Sequence, residues 1–354
     1  MSCEARKSLI AKLEAIRDSK VITYITSTRS NLESMMSMDV IQPVFEQLVS
    51  VSKSKKIPRI DLFIHSNGGE STVPWRLVTL IREYCDEFNV LVPNRAFSAA
   101  TLTALGADNV LMHPMGMLGP TDPTVSNPFN PQNPLQPNTL LGISVEDVTS
   151  YFELVKEDVG IRHEDELIQA FSILAEKVHP LALGNVKRSN LQSRMMGKKL
   201  LSRRAIDGLT EHDIEQIVQK LTSELYFHGH PINRQEARED VGLTFVQDAP
   251  DDVAEEMWNL FLSYDEEMKL SQPFLWVQDA ISLNPLTVPV PLAGIGVPNS
   301  QALVRLPTLK SVIVESEVLR HSYELEFEVN LTRDGAGTYN GNLILLKQSW
   351  IKKP

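Results

Sequence analysis

The sequence predicts an α/β protein: a parallel β-sheet core with crossover helices, a helical extension and a small C-terminal β-hairpin region. Three observations predict it. Between residues 21 and 113, short apolar runs alternate four times with amphipathic stretches of helical spacing, as in a parallel sheet whose strands are joined by crossover helices. Residues 140–270 keep the helical period. Beyond Pro273, Tyr323, Leu325, Phe327, Val329 and Leu331 alternate with Glu324, Glu326, Glu328 and Asn330, the period of a half-buried strand. Asp334-Gly335-Ala336-Gly337 turns that strand, and Leu343 to Leu346 forms its partner.

These patterns divide the chain into an N-terminal helix (1–20), a core (21–139), a helical extension that completes the site (140–272) and a β-rich appendage (273–354). Leu9, Ile10, Leu13 and Ile16 place one apolar face on a charged helix over residues 4–18. Val21 to Ile25 reads as the first core strand. The polar, methionine-bearing link SNLESMMSMD leads into a helix of Val40, Ile41, Val44, Phe45 and Leu48, whose early Pro43 suits the first helical turn. Ile60, Leu62, Phe63 and Ile64 form a buried strand that stops at Asn67-Gly68-Gly69. A helix carrying Val73, Leu77, Leu80 and Ile81 follows, and Cys85 reads as its core residue. Val90 to Val92 is the next strand, broken by Pro93-Asn94. Ser98 then stands where Ala99-Ala100-Thr101-Leu102 opens a helix, its hydroxyl at the positive helix end.

The six prolines from Pro120 to Pro137 exclude helix and central strand, so this segment reads as an extended surface loop beside the site. Ser144-Val145-Glu146-Asp147 resembles a capping box for a helix through Val155. Helices are expected over Glu164 to Val178, Leu191 to Leu201, Asp213 to Tyr226 and Val253 to Leu270, with a second N-terminal box at Asn233. VPVPLAGIGVPNS reads as a boundary.

The 354 residues, 42% hydrophobic and 22% charged, describe a packed protein rather than a disordered one. A net charge of −11 argues against nucleic acid and anionic membranes as partners. Cys3 and Cys85 cannot form a disulfide framework, so a cytoplasmic, reducing location is the expectation. No run approaches the ~18 apolar residues of a membrane span. No cofactor is implied. His228-Gly229-His230, without a third spaced ligand, reads as a turn rather than a metal site.

Strand-SNGG-helix, then strand-FSAA-helix, then GADNVLMHPMGMLGPTDP, resembles the catalytic half of the Clp-type serine peptidases, on the Clp/crotonase fold, with the serine dehydrogenase proteinase family nearest and signal peptide peptidase A related. The resemblance implies that Ser98 is the nucleophile and that the Gly68-Gly69 turn and Ala99 supply oxyanion N–H groups. It also implies that the stretch with Gly119 and Pro120 walls the site. Alone, a serine in FSAAT would read as a helix N-cap. The sequence departs from the family's pattern at Ser66-Asn67, where Pro or Thr-Pro is usual before the glycines.

A Clp-type triad would place a histidine near Thr121, and none is there; the nearest, His113, ends the preceding strand. The signal peptide peptidase branch uses a Ser-Lys dyad instead. HPLALGNVKRS, read as a link between two helices, makes Lys187 the first choice for the base, against the plain reading of an exposed loop lysine. Lys156, beside Glu153 and Glu157, reads as a surface ion-pairing residue, and His65 is the alternative base. Lys198-Lys199 and Arg203-Arg204 read as solvated helix surface. The expected activity is cleavage of peptides or unfolded proteins by a homo-oligomer. Because no G-x-x-x-x-G-K-[ST] occurs, folded substrates would require a separate unfoldase. A non-catalytic crotonase-fold scaffold or regulator and a crotonase-type acyl-CoA enzyme are the alternatives.

Overall fold

The computed structural model describes residues 3–53, 55–125, 127–134, 136–203, 208–224, 229–286 and 300–354. In chain order the elements begin with α1 (Cys3–Arg17), β1 (Lys20–Thr26), α2 (Ile41–Ser52), β2 (Ile57–His65), α3 (Val73–Tyr84), β3 (Cys85–Val92), β4 (Arg95–Ala96), α4 (Ala99–Leu105), β5 (Asn109–Met112) and β6 (Met117–Leu118). Next come β7 (Thr124–Val125), β8 (Gln132–Asn133), β9 (Gln136–Leu140), β10 (Ile143–Ser144), α5 (Val145–Glu153), α6 (Glu164–Lys177), α7 (Pro180–Leu201), α8 (Glu211–Gln219) and α9 (Arg234–Glu236). The chain closes with β11 (Val246–Asp248), α10 (Asp251–Met268), α11 (Trp276–Leu283), β12 (Ser300–Arg305), β13 (Leu309–Glu315), β14 (Arg320–Arg333) and β15 (Tyr339–Lys353). This is the α/β class read from the sequence.

The chain forms two compact units: residues 1–66, 84–86 and 250–354, and residues 67–83 and 87–249. In the first, β1 and β2 are parallel, with Ile22 opposite Leu62, and both are apolar and buried along most of their length, as two-sided strands must be. β13 joins β1 antiparallel, with Ile25 opposite Ile313, so the C-terminal strands extend the sheet of this unit instead of standing apart as an appendage. The long β14–β15 hairpin is as expected: Leu325, Phe327, Val329 and Leu331 are buried in one cluster with Phe274 and Leu286.

An ionic cluster ties α1, α10, β13 and β14 together inside this unit. Arg6, fully buried, donates from Nε to Glu315 Oε2 at 2.6 Å and from Nη1 to Glu267 Oε2 at 2.6 Å. Lys310 and Arg320 also pair with Glu267, and Tyr264 Oη donates to Glu315. Burial pushes the Glu267 carboxyl up, but Arg6, Lys310 and Arg320 outweigh it and hold it down at about 2. The folded value lies below the unfolded one, so the stability gained is present above the usual carboxylate range and is lost as pH falls toward 2. Glu267→Gln is expected to cost on the order of 2 kcal/mol at neutral pH, and less as the pH drops, measured as urea midpoints across an acid series.

In the second unit, β3, β5 and β11 are parallel neighbours, with Val90 opposite Val110 and Val110 opposite Val246. Several sequence expectations are corrected here. Cys85 opens β3, buried, rather than ending the preceding helix. Residues 140–270 are not wholly helical, because β11 contributes a strand. The proline-rich stretch begins buried at Pro120, Thr121 and Asp122 and continues into the short strands β7 to β10. Helix α7 starts at Pro180, so the stretch holding Lys187 is helix interior and not a link. Ala182, Val186, Ser193, Gly197 and Leu200 give it a continuous buried face. His228 and most of the VPVPLAGIGVPNS boundary lie outside the described residues.

Candidate active site

Ser98 caps the N-terminus of α4 with φ 51° and ψ −112°, and its side chain makes no capping hydrogen bond. The ordinary role of a serine at this position is thus unfilled. The dihedrals are those of the first central residue of a type II′ turn, where glycine is the usual occupant, so a serine is strained there. The following residue, Ala99, is the first of the helix, where a backbone N–H has no intrahelical acceptor. A sharp turn that lifts a half-exposed hydroxyl beside such an amide is the local geometry acyl transfer needs.

The glycine turn is packed against this elbow. Gly68 has φ +98°, and a Cβ built there would lie 2.6 Å from the Phe97 carbonyl oxygen, 2.7 Å from Ser98 Cβ and 3.0 Å from the Ala99 nitrogen. Glycine is therefore required twice, for the backbone conformation and for the approach. Gly69, with φ +154°, continues the turn. On the other side, Gly119 faces the Phe97 ring, which a Cβ would approach to 2.8 Å, and Pro120 is buried beside it.

Thr101, which the sequence reading did not single out, clamps elbow and wall together. Its buried Oγ1 lies 2.7 Å from the Ala96 carbonyl and 2.8 Å from the Gly119 carbonyl, and it accepts from Gly119 N at 3.1 Å. One hydroxyl thus serves the strand before Ser98, the helix after it and the wall. β4 and β6 pair in parallel, Ala96 opposite Leu118, and Leu118 exchanges two 2.9 Å backbone hydrogen bonds with Ile232. Thr121 N donates to Leu221 O at 2.7 Å, and Ser193 Oγ of α7 donates to Thr121 O at 2.6 Å.

The two candidate bases are placed differently. Lys187 is exposed on α7, off the buried face. It lies six residues before Ser193, roughly 9 Å along the axis from the wall. Among the described residues no hydrogen bond joins it to Ser98. Lys156 lies in the π-helical turn Leu154–Asp158 that follows α5. His65 belongs to the first unit and is buried at the end of β2, with Nε2 3.1 Å from Thr28 Oγ1 and its ring 5.0 Å from that of Phe261. Burial, reinforced by Arg234, lowers the His113 imidazole; its Nδ1 accepts from Met115 N. His230 Nε2 lies 2.6 Å from Glu236 Oε1.

Residues 1–133 match the model of a family described as ClpP-like SDH-type serine proteinases, which is the resemblance read from the sequence. That span includes Gly68, Gly69, Ser98, Ala99, Gly119 and Pro120 and ends before Lys187. An uncharacterized protein of Methanocaldococcus jannaschii is 26% identical over 270 residues, covering 75% of this chain and 80% of that one. Another from the same organism is 25% identical over 229 residues, covering 61% and 68%. Among solved structures, a mutant of the 1510-N membrane-bound stomatin-specific protease shares 12% identity with a TM-score of 0.37, covering 67% of this chain and 85% of that chain. ClpP1 from Listeria monocytogenes shares 13% with a TM-score of 0.35, covering 70% and 99%. Among the described residues, no helix is long and apolar enough to cross a membrane.

Proposed function

We propose that this chain is a serine peptidase that cleaves peptides or unfolded proteins through an acyl-enzyme on Ser98. The observation that carries the reading is the strained, uncapped Ser98 packed against Gly68 beside the Ala99 amide, within the span that matches the serine proteinase family. In this reading Ser98 Oγ attacks the peptide carbonyl, and the Gly69 and Ala99 N–H groups hold the oxyanion. The amine product then leaves, and water hydrolyses the ester. Labelling of the purified chain with a fluorophosphonate, mapped by peptide mass to Ser98, tests it; an unlabelled Ser98 would favour the scaffold reading.

The base proposed is Lys187, acting in a homo-oligomer. A lysine base must be desolvated, and Lys187 is exposed in the single chain. Four and eight residues on, Leu191 and Met195 are also exposed on α7, at 56% and 42%, and a second copy covering that surface would desolvate the amine. The expected result is that Lys187→Ala, Ser98→Ala and the double variant share similar residual rates, and that specific activity falls when the protein is diluted below its assembly concentration. Near-normal turnover by Lys187→Ala would remove the dyad and make His65→Ala the next variant to measure.

A further inference from the structure

The charged side chain nearest in sequence to Ser98 has no counter-charge among the described residues. Arg95, on β4, donates from Nη1 to Asn67 Oδ1 at 3.1 Å, and its guanidinium lies 5.5 Å from the centre of the Phe97 ring. Its Nε is enclosed with no acceptor, and among the described residues it has no ion pair and no other hydrogen bond. Desolvation by burial lowers the Arg95 guanidinium from its usual value. Elsewhere in this unit, arginines that are covered to a similar degree are matched by carboxylates: Arg82 with Asp108, and Arg194 with Glu215. A half-buried cation without an anion is costly on its own and becomes favourable when a ligand supplies one.

Its position says which ligand. Asn67, which holds Nη1, directly precedes Gly68, the residue packed against Ser98. Phe97, whose ring neighbours both the guanidinium and Gly119, directly precedes Ser98 itself. The cation is therefore held by the two segments that build the elbow and the glycine turn, within the same compact unit.

We propose that Arg95 is a specificity-determining residue that binds a carboxylate of the peptide substrate close to the bond presented to Ser98. This rests on the reading of the Ser98 site as a peptide site. The carboxylate supplies the acceptor and the negative charge that the described residues do not, and planar guanidinium suits it better than ammonium. It can come from an Asp or Glu side chain or from a free peptide C-terminus, and matched peptides separate the two sources.

The test measures binding, so that it does not depend on turnover. Fluorescein-labelled peptides are titrated by anisotropy into the full chain carrying Ser98→Ala, in pairs that differ only as Glu against Gln at one position or as free acid against C-terminal amide. In at least one pair the acid is expected to bind about tenfold tighter or more. A preference confined to the terminal pair assigns the C-terminal carboxylate, and one confined to a Glu/Gln pair assigns a side chain. Adding Arg95→Gln should bring the two affinities together, and Arg95→Lys should restore part of the difference. A purely structural role through Asn67 would weaken both members equally and leave their ratio unchanged. Equal affinities within twofold for every pair, a ratio unmoved by Arg95→Gln, or no binding up to millimolar concentration would each overturn the proposal. Failure of fluorophosphonate labelling would instead overturn the catalytic reading, leaving a measured affinity ratio intact.

Discussion

Ser98→Ala is expected to abolish fluorophosphonate labelling and to lower peptide turnover by at least about 10³-fold, the loss expected when a nucleophile is removed from a set of groups acting as one unit. The same position carries a second, independent expectation. With φ 51° and ψ −112°, Ser98 occupies a region that costs a residue with a Cβ about 1–3 kcal/mol and costs glycine almost nothing. Ser98→Ala keeps that strain, whereas Ser98→Gly releases it. Ser98→Gly should therefore be the more stable of the two by about 1 kcal/mol, read as urea midpoints, although glycine is ordinarily the destabilising member of such a pair. Both variants should be equally inactive. An alanine variant as stable as the glycine variant would mean that the elbow is not strained, and the strongest local argument for the site would be lost.

The core strands were legible because each carries a short apolar run, such as Leu62 to Ile64 in β2 and Val90 to Val92 in β3, that is buried and bounded by turn residues or amphipathic helices. β11 was hidden because Val246–Asp248 is three residues long and only Val246 is buried, too little to show a period. HPLALGNVKRS was read as a link between two helices, yet α7 starts at Pro180 and runs through it. A Cβ at Gly184 would meet nothing, so that glycine marks no close approach, and the apolar face at Ala182 and Val186 carries the helix on. Cys85 was drawn into the preceding helix because Leu77, Leu80 and Ile81 keep the helical period up to its neighbour Tyr84.

At the candidate site, the motif named two pairs of adjacent residues, Gly68-Gly69 and Ser98-Ala99, and the structure packs Gly68 against Ser98 and Ala99. Thr101, Phe97 and Arg95 went unread because what gives them meaning is far away in sequence. Thr101 acquires its role from Gly119, 18 residues on, and Arg95 from Asn67, 28 residues back. A threonine in a small-residue helix and an arginine after a short strand carry no signal of their own. No base could be read for a related reason: a side chain becomes a general base through its surroundings, which belong to packing and have no sequence spacing.

The closeness of Gly68 to the elbow makes Gly68→Ala the most informative single methyl group in the chain. An alanine there must adopt φ +98°, which is unfavourable for any residue with a Cβ, and that Cβ would press on the Phe97 carbonyl oxygen at 2.6 Å and on Ser98 Cβ at 2.7 Å. Both neighbours belong to the elbow, so relief can come only by moving Ser98, the glycine turn or both. The methyl group would also stand 3.0 Å from the Ala99 nitrogen, whose N–H is one of the two proposed oxyanion donors. Loss of one oxyanion donor costs about 10² to 10³ in turnover, and displacement of the serine adds to it, so kcat/KM should fall by at least about 10²-fold while the fold loses roughly 1–3 kcal/mol. Gly184→Ala is the control: the same methyl group enters open space in an exposed helix interior and should raise stability by about 0.5–1 kcal/mol. If Gly68→Ala kept near-wild-type turnover with its fold intact, the glycine turn would not be part of the catalytic apparatus, and the oxyanion assignment would fail even with Ser98 as the nucleophile.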